Sequence, residues 1–156
     1  KVHPYRLDAF DSGDVGPLAF VEGGRVNWMG QPADRAPSDS RRDCLEALED
    51  RPWPRVEIVL SHAGAGASMV EALVAQGVQG LVVAGTGNGT VHVRLEQALL
   101  AAQAAGVAVR RCSRCPSGRI VEDAGAALPA ADDLSAVKAR IALALELVRT
   151  TGTSGA

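Results

Sequence analysis

A glycine-rich loop is the most distinctive place in the sequence where chemistry could occur. The stretch AGTGNGTVH, residues 84–92, follows the apolar run Leu81-Val82-Val83 and precedes a helix-like pattern. Asn88 and Thr90 offer an amide and a hydroxyl, and the glycines would let the backbone approach a bound group closely. Such a loop can hold a phosphate, contact a substrate, or form only its own turn.

The dinucleotide interpretation of this loop fails on spacing. The fingerprint needs G-x-G-x-x-G, followed about 20 residues later by an acidic residue. Thr90 stands where the third glycine belongs, residues 104–107 read Ala-Ala-Gly-Val, and the loop has no phosphate-binding lysine. A turn and a substrate contact remain as the two hypotheses.

Ser61-His62 is the pair that could supply a nucleophile and a base. Amide hydrolysis needs an activated hydroxyl or thiol beside a base, with donors for the oxyanion. Neighbours at a strand end point to opposite faces, so these two side chains are not expected to meet. His92 begins a helix and has no obvious acid to orient it. We interpret all three as structural or surface residues and expect no catalytic residue in this chain.

Cys112 and Cys115 have the CxxC spacing, which can indicate a redox pair or part of a zinc site. A zinc site needs four ligands, and Cys44 with a histidine would complete one only if the fold brought them together. The pair follows Val107-Ala108-Val109 and precedes Pro116, so it is predicted at a strand end and not at a helix N-terminus. We expect ordinary thiols, with no metal and no cofactor.

Composition narrows the class of protein. The chain has 156 residues, of which 47% are hydrophobic and only 3% aromatic, so its core must consist of valine, leucine and alanine. This length is typical of one domain. The formal net charge of -2 provides no basic surface for nucleic acid. No apolar run approaches the about 20 residues of a membrane span. From the charge and the absence of such a run, we expect neither a nucleic-acid nor a membrane partner.

The first part of the chain predicts a hairpin followed by a surface segment. Leu18–Val21 and Arg25–Met29 are strand-like, and the glycines between them supply the positive φ of a tight turn. We assign residues 1–30 to this hairpin segment. Several prolines in residues 31–55 remove backbone donors, which predicts a surface crossing with a short helical turn near residues 43–48.

From residue 56 onward, apolar runs alternate between strand and helix patterns. Strands are predicted at 56–60, 80–84 and 107–111, and the helices between them end near Gly77 and Gly106. Connections of this length imply parallel strands with right-handed crossovers. The predicted class is α/β: a small parallel sheet of about four strands flanked by helices, with an N-terminal β-hairpin. Residues 56–149 form its βαβαβ-α core and 150–156 a frayed tail.

The helical spacing of apolar residues predicts which side of each helix faces the sheet. Ser68 and Ser135 are the predicted N-caps of the first and last helices. The predicted inward residues are Met69, Val70, Leu73 and Val74 in the first helix, Val91, Leu95, Leu99 and Ala102 in the second, and Leu134, Val137, Ile141, Leu145 and Val148 in the third.

Four segments together resemble the C-terminal domain of bacterial L-asparaginases. They are Gly80–Thr90 with the glycine loop, Arg111–Gly118 after the third strand, Asp11–Leu18 before the hairpin, and Lys138–Arg140 in the last helix. The resemblance covers almost the whole chain. It implies hydrolysis of the side-chain amide of L-asparagine, and often of glutamine, with release of ammonia.

The resemblance also implies that the reacting groups lie elsewhere. The family's nucleophile is a threonine in a Thr-Gly-Gly-Thr motif of an N-terminal domain, where a second threonine, an aspartate and a lysine assist it. This sequence lacks that motif, so we expect a domain of a larger enzyme that is inactive by itself. In the family, this domain completes the active site of a neighbouring subunit in a homodimer or homotetramer.

Four residues fall on the substrate side of the family's site. Thr90 stands where the glycine loop contributes an asparagine or serine, and Asn88 lies two positions earlier. The family's glutamate for the substrate's amino group falls at Gly125, which has no carboxylate, whereas Glu122 and the adjacent Asp123 are near enough to compensate. Because of this departure from the family, a substrate other than L-asparagine, with a different amide, stays open as an alternative.

Two other functions fit the same residues. A non-catalytic ligand-binding or regulatory module could keep the fold without an N-terminal domain. An asparaginase-like subunit of a transfer-RNA amidotransferase would act on another amide, although the net charge of -2 does not favour its RNA-facing surface. Family members occur in the cytoplasm and the periplasm, and the odd number of cysteines favours the cytoplasm.

Overall fold

The computed structural model describes residues 2–13, 16–30, 52–121 and 125–153. The chain divides into two compact units, Lys1–Ser38 and Asp39–Ala156. Most of the predicted proline-rich crossing, including the short helical turn near residues 43–48, lies outside the described residues, as do Cys44 and Glu122.

The first unit contains the predicted hairpin. Strand β1, Ala19–Glu22, pairs antiparallel with β2, Arg25–Trp28. The two residues that join them are Gly23 and Gly24, with φ of 55° and 75°. Positive φ at both central residues is the geometry of a two-residue turn whose twist matches that of the flanking strands. The glycine pair therefore explains why the chain reverses here.

The second unit is built on a parallel sheet. Its strands are β3, Val56–Leu60, β4, Gly80–Gly85, and β5, Ala108–Ser113, in the order β3-β4-β5. The central strand β4 is buried along its whole length, which explains its uninterrupted small and apolar residues. The α/β class and the parallel strands are therefore confirmed.

The predicted number of about four strands was loose, since three strands form the parallel sheet within the described residues. Beyond β5, Ala130 forms only an isolated parallel bridge with Arg111. Arg111 donates its N–H to the Pro129 carbonyl and accepts from the Ala131 N–H, each at 2.8 Å. Pro129 has no N–H with which to extend the ladder, so this segment does not become a strand.

Helices cover both faces of the parallel sheet. Helices α1, Ser68–Ala75, and α2, Val93–Ala104, share one apolar cluster with the strands, and α3, Ala136–Thr153, packs on all three strands in a second cluster. Of the predicted inward residues of the second helix, Leu95, Leu99 and Ala102 belong to the first cluster, whereas Val91 precedes the helix and packs against the cluster. No helix in the described ranges is long and apolar enough to cross a membrane.

The predicted inward face of the last helix was only partly right: Val148 is buried and Leu134 packs against the second cluster. Val137 and Ile141 are 64% and 47% exposed, while Ala139, Leu143 and Ala144 are buried. The helix has apolar residues on two sides, and the side that faces the sheet carries alanines. Gly80 lies beneath it, where an added Cβ would be 3.0 Å from Leu143 Cδ2. Small residues on the helix and on the sheet permit this close packing. The size of the side chains therefore decides which apolar side of the helix faces the sheet.

Three smaller expectations about helices also needed correction. Met69 is 61% exposed, whereas Val70 beside it is buried. Ser68 is the first helical residue and not the N-cap; Ala67 precedes it in a helical conformation, without a side-chain capping bond. The last helix continues to Thr153, so the predicted tail is helical in its described part. By contrast, Gly77 and Gly106 follow the first two helices with φ of 76° and 93°, as expected at helix ends.

Candidate functional site

The carboxyl ends of the three parallel strands bring the chemically interesting residues to one edge of the sheet. Ser61 follows β3, the glycine loop Gly85–Thr90 follows β4, and Ser113 ends β5. In open parallel sheets this edge is where ligands bind. The strand order therefore assembles one candidate site from three separate parts of the sequence.

Ser61 serves as a link between elements. Its side chain is buried, and its Oγ accepts the backbone N–H of His92 at 2.9 Å. This bond ties the end of β3 to the start of α2. Since the hydroxyl oxygen is buried and already bonded to an amide, Ser61 is poorly placed to attack a substrate.

The two candidate histidines bond to backbone groups in their own segments. His92 is the N-cap of α2, because its Nδ1 accepts the N–H of Arg94 at 3.3 Å. The Nδ1 of His62 lies 2.9 Å from the carbonyl oxygen of Ala63. Within the described residues, neither imidazole activates the Ser61 hydroxyl. For His62 this agrees with the expectation that neighbours at a strand end point to opposite faces.

The glycine loop closes on itself. Thr86 and Thr90 exchange two backbone hydrogen bonds, of 3.0 Å and 2.8 Å. A Cβ added to Gly85 would lie 2.4 Å from the carbonyl carbon of Gly89, so no larger residue fits there. Gly89 itself has a φ of 79°. The turn interpretation therefore explains Gly85 and Gly89 completely.

Strand β5 holds the loop in place. Nη1 of Arg111 donates to the carbonyl oxygens of Asn88 and Gly89, at 3.2 Å and 3.3 Å. Ser113 donates its hydroxyl to the carbonyl oxygen of Gly87 at 2.6 Å. The charged donor and the short hydroxyl bond stabilise the carbonyls of Gly87, Asn88 and Gly89, which lie between the paired residues Thr86 and Thr90.

These anchors were missed as individual residues in the sequence, although a signal exists. Arg111 and Ser113 are two positions apart at the end of a strand, and alternate residues of a strand share a face. Cys112 lies between them and points to the other face, where it is fully buried. A polar pair in this alternation, following a glycine loop on the neighbouring strand, indicates anchoring of the loop.

Asn88 is engaged at both ends of its carboxamide. Its Nδ2 donates to the carbonyl oxygen of Val121, and its Oδ1 accepts the Val121 N–H, both at 2.8 Å. The sequence suggested an amide pointing outward to a ligand. The structure shows instead a two-point contact with the backbone of a residue far along the chain.

The other predicted substrate residues have different surroundings. Thr90 is exposed at the end of the loop. Gly125 is exposed in a turn, and no atom of the described residues lies within 4 Å of a Cβ built there. Glu122 lies outside the described residues. The structure thus places Asn88 and Thr90 in one loop, and their roles toward a substrate stay predictions.

The two cysteines of the CxxC segment have different environments. Cys112 is buried in β5 and Cys115 is exposed beyond its end, so the segment is a strand end, as predicted. Burial raises the pKa of the Cys112 thiol. No group of three or more His, Cys, Asp or Glu side chains in the described ranges is arranged to hold a metal ion.

We expect alkylation to separate these thiols. In the native protein, iodoacetamide should modify Cys115 and leave Cys112 intact, because a buried thiol with a raised pKa supplies little thiolate. The native state keeps this proton at a pH where the unfolded thiol has lost it, so its contribution to stability is lost as the pH rises. Peptide mapping before and after unfolding measures both sites. Rapid native labelling of Cys112 would contradict the assignment.

Comparison with known proteins agrees with this arrangement. A sequence model of the glutaminase/asparaginase C-terminal domain matches residues 55–154. L-asparaginase 2 of Escherichia coli K12 is 35% identical over 155 residues, which are 96% of this chain and 44% of that protein. The glutaminase-asparaginase of Pseudomonas fluorescens biotype A is 32% identical over 156 residues, 96% of this chain and 42% of that protein.

Two further relatives are named for a different function or are known as a solved structure. One subunit of the glutamyl-tRNA(Gln) amidotransferase of Halobacterium salinarum is 32% identical over 131 residues, 78% of this chain and 29% of that protein. The crystal structure of a probable cytoplasmic L-asparaginase from Campylobacter jejuni superimposes with a TM-score of 0.77 at 30% identity, covering 96% of this chain and 46% of that one. The chain spans less than half the length of these relatives.

The family match covers the parallel sheet, its three helices and the glycine loop, which are the parts that form the candidate site. The chain belongs to the glutaminase/asparaginase C-terminal domain family.

Proposed function

We propose that this chain is the C-terminal domain of an amidohydrolase that converts L-asparagine and water to L-aspartate and ammonia, and that acts on glutamine as well. The observation that carries the proposal is the anchored glycine loop at the carboxyl edge of the sheet, with Thr90 exposed at its end. The relatives named asparaginase and glutaminase-asparaginase match this region together with the rest of the chain.

The chemistry is divided between domains in this proposal. A separate N-terminal domain supplies the threonine nucleophile and the groups that activate it. Here Ser61 is buried and bonded to a backbone amide, which argues against a substitute nucleophile at the β3 end. The present domain instead faces the active site of a neighbouring subunit in a homodimer or homotetramer. Alone, it hydrolyses no amide.

Thr90 is the residue that we assign to the substrate. Its hydroxyl can both donate and accept a hydrogen bond. The two backbone hydrogen bonds between Thr86 and Thr90 fix the ends of the loop, next to β4. Gly125 has no side chain and therefore supplies no carboxylate for the substrate's ammonium group. Glu122, three positions before Gly125, is the carboxylate that we propose for this role. Binding of a free amino acid would then depend on Glu122.

Replacing the Thr90 hydroxyl tests the proposal in the full-length protein encoded by the gene. Thr90→Val keeps the shape but removes the hydroxyl, and should lower kcat/KM for L-asparagine by about fivefold to 150-fold, the range for a hydrogen bond of about 1–3 kcal/mol in a closed site. Thr90→Ser keeps the hydroxyl and should retain activity within about threefold of the unchanged enzyme. Full activity in Thr90→Val would contradict the assignment.

A second function is favoured by one comparison. The similarity to an amidotransferase component extends over 78% of this chain. In that case the domain would assist a partner in releasing ammonia from another amide. The nearly balanced charge of the chain disfavours direct contact with RNA, so we rank this function below the hydrolysis of free amino-acid amides.

A further inference from the structure

We infer that Asn88 is a positioning residue: its carboxamide binds the backbone of Val121, and this contact fixes the glycine loop so that the Thr90 hydroxyl stays in place. We call this contact the Asn88–Val121 clamp. The existence of the clamp rests on the observed contacts alone, whereas its effect on catalysis rests on the function proposed above.

The clamp joins parts of the chain that are distant in sequence. Asn88 and Val121 are separated by 33 positions, and both bonds between them measure 2.8 Å. In the described residues, the other side-chain hydrogen bonds that reach the loop from outside it come from Arg111 and Ser113 at the end of β5 and from Cys115 just beyond it. Asn88 therefore connects the loop to a segment that begins only after this strand has ended.

Packing beside the clamp supports the same conclusion. A Cβ added to Gly89 would lie 2.6 Å from Cδ1 of Ile120. The loop backbone thus lies directly against Ile120, while the preceding residue of the loop bonds to the residue after Ile120. Two consecutive loop residues contact two consecutive residues of the other segment, which aligns the segments.

An asparagine side chain suits this contact for a chemical reason. A carboxamide presents one donor and one acceptor in a plane, matching the C=O and N–H of a single backbone residue. An aspartate in its place would not match, because a carboxylate oxygen would face the Val121 carbonyl. A swing of Asn88 toward a substrate would break both bonds at once. This is why the geometry points to positioning and not to direct substrate contact.

The first experiment measures the clamp itself in the 156-residue chain. In Asn88→Ala, hydrogen exchange of the Val121 amide, followed by NMR, should accelerate by about threefold to tenfold, as expected for loss of one hydrogen bond. Asn88→Asp keeps the acceptor and should accelerate it less, and it provides a second variant if the alanine variant folds poorly. Gln103→Ala, which removes an exposed carboxamide from α2, is the control. Unchanged Val121 exchange in both Asn88 variants would overturn the clamp.

The second experiment is a double-mutant cycle on kcat/KM in the full-length protein. Asn88→Ala alone should lower kcat/KM by about tenfold. If Asn88 acts through Thr90, adding Asn88→Ala to Thr90→Val should lower it by less than about twofold further. Fully additive losses would overturn positioning and indicate that Asn88 contacts the substrate.

The two experiments also separate this inference from the function on which it rests. If the full-length protein hydrolyses neither amide, the proposed function fails, and Val121 exchange still decides whether the clamp exists. If the protein is active and Asn88→Ala has normal kinetics, the positioning role fails while the proposed function stands.

Discussion

Gly85→Ala should disrupt the glycine loop more than alanine at any other glycine of the described residues. The new Cβ would lie 2.4 Å from the carbonyl carbon and 2.5 Å from the carbonyl oxygen of Gly89. Both are backbone atoms, which cannot rotate away as the end of a side chain can. We therefore expect the Thr86–Thr90 bonds to break or the end of β4 to shift.

The expected loss of stability is about 1–3 kcal/mol, the range for overpacking a well-packed site. Urea unfolding followed by circular dichroism gives the free energy of unfolding. Hydrogen exchange at the Thr90 amide, which bonds to the Thr86 carbonyl at 2.8 Å, reports separately on loop closure. In the full-length protein, activity should fall at least as far as in Thr90→Val.

Gly66→Ala provides the matched control for this change. No described atom lies within 4 Å of a Cβ built at Gly66, and its φ is not positive. A surface change of this kind should alter the free energy of unfolding by no more than about 0.5 kcal/mol. If Gly85→Ala is as stable as Gly66→Ala and keeps its Thr90 amide protected, the account of the loop is wrong.

Leu99→Ala should produce a large loss of stability in the core. Leu99 is 0% exposed and packs between α2 and the sheet, in the same cluster as Leu81, Val83 and Leu95. Truncation removes buried methyl groups and leaves a cavity, which costs about 2–5 kcal/mol. Typical domains are stable by about 5–15 kcal/mol, so the variant should unfold at a much lower urea concentration.

Leu60→Ala makes the same chemical change at a position that is 56% exposed. Its effect should stay at about 0.5 kcal/mol, which is the usual limit for surface substitutions, because little buried area is lost. Equal losses from Leu99→Ala and Leu60→Ala would contradict the position of α2 on the sheet.

The order of strands and helices could be predicted because it depends on local patterns. The run Val56–Leu60 and the glycines at 77 and 106 indicate where elements begin and end, and the structure agrees. The inward side of α3 could be predicted only in part in this way. Its alanines carry weak hydrophobic signals, and their value lies in the close approach that Gly80 allows from another part of the chain.

The candidate site was predictable in place but not in its contacts. The strand pattern correctly put the glycine loop at the carboxyl edge of the sheet, beside the ends of β3 and β5. The contact of Asn88 could not be predicted from the sequence, because its partner Val121 is 33 positions away and contributes only backbone atoms. Backbone groups are the same in every residue, so no side-chain pattern indicates such a contact.

We propose that this domain completes an amidohydrolase site without supplying the nucleophile. The test is ammonia release from L-asparagine and L-glutamine, measured for the 156-residue chain and for the full-length protein encoded by the gene. We expect activity in the full-length protein, reduced by Thr90→Val, and none in the chain alone. Ammonia release by the chain alone, or by neither form, would contradict it.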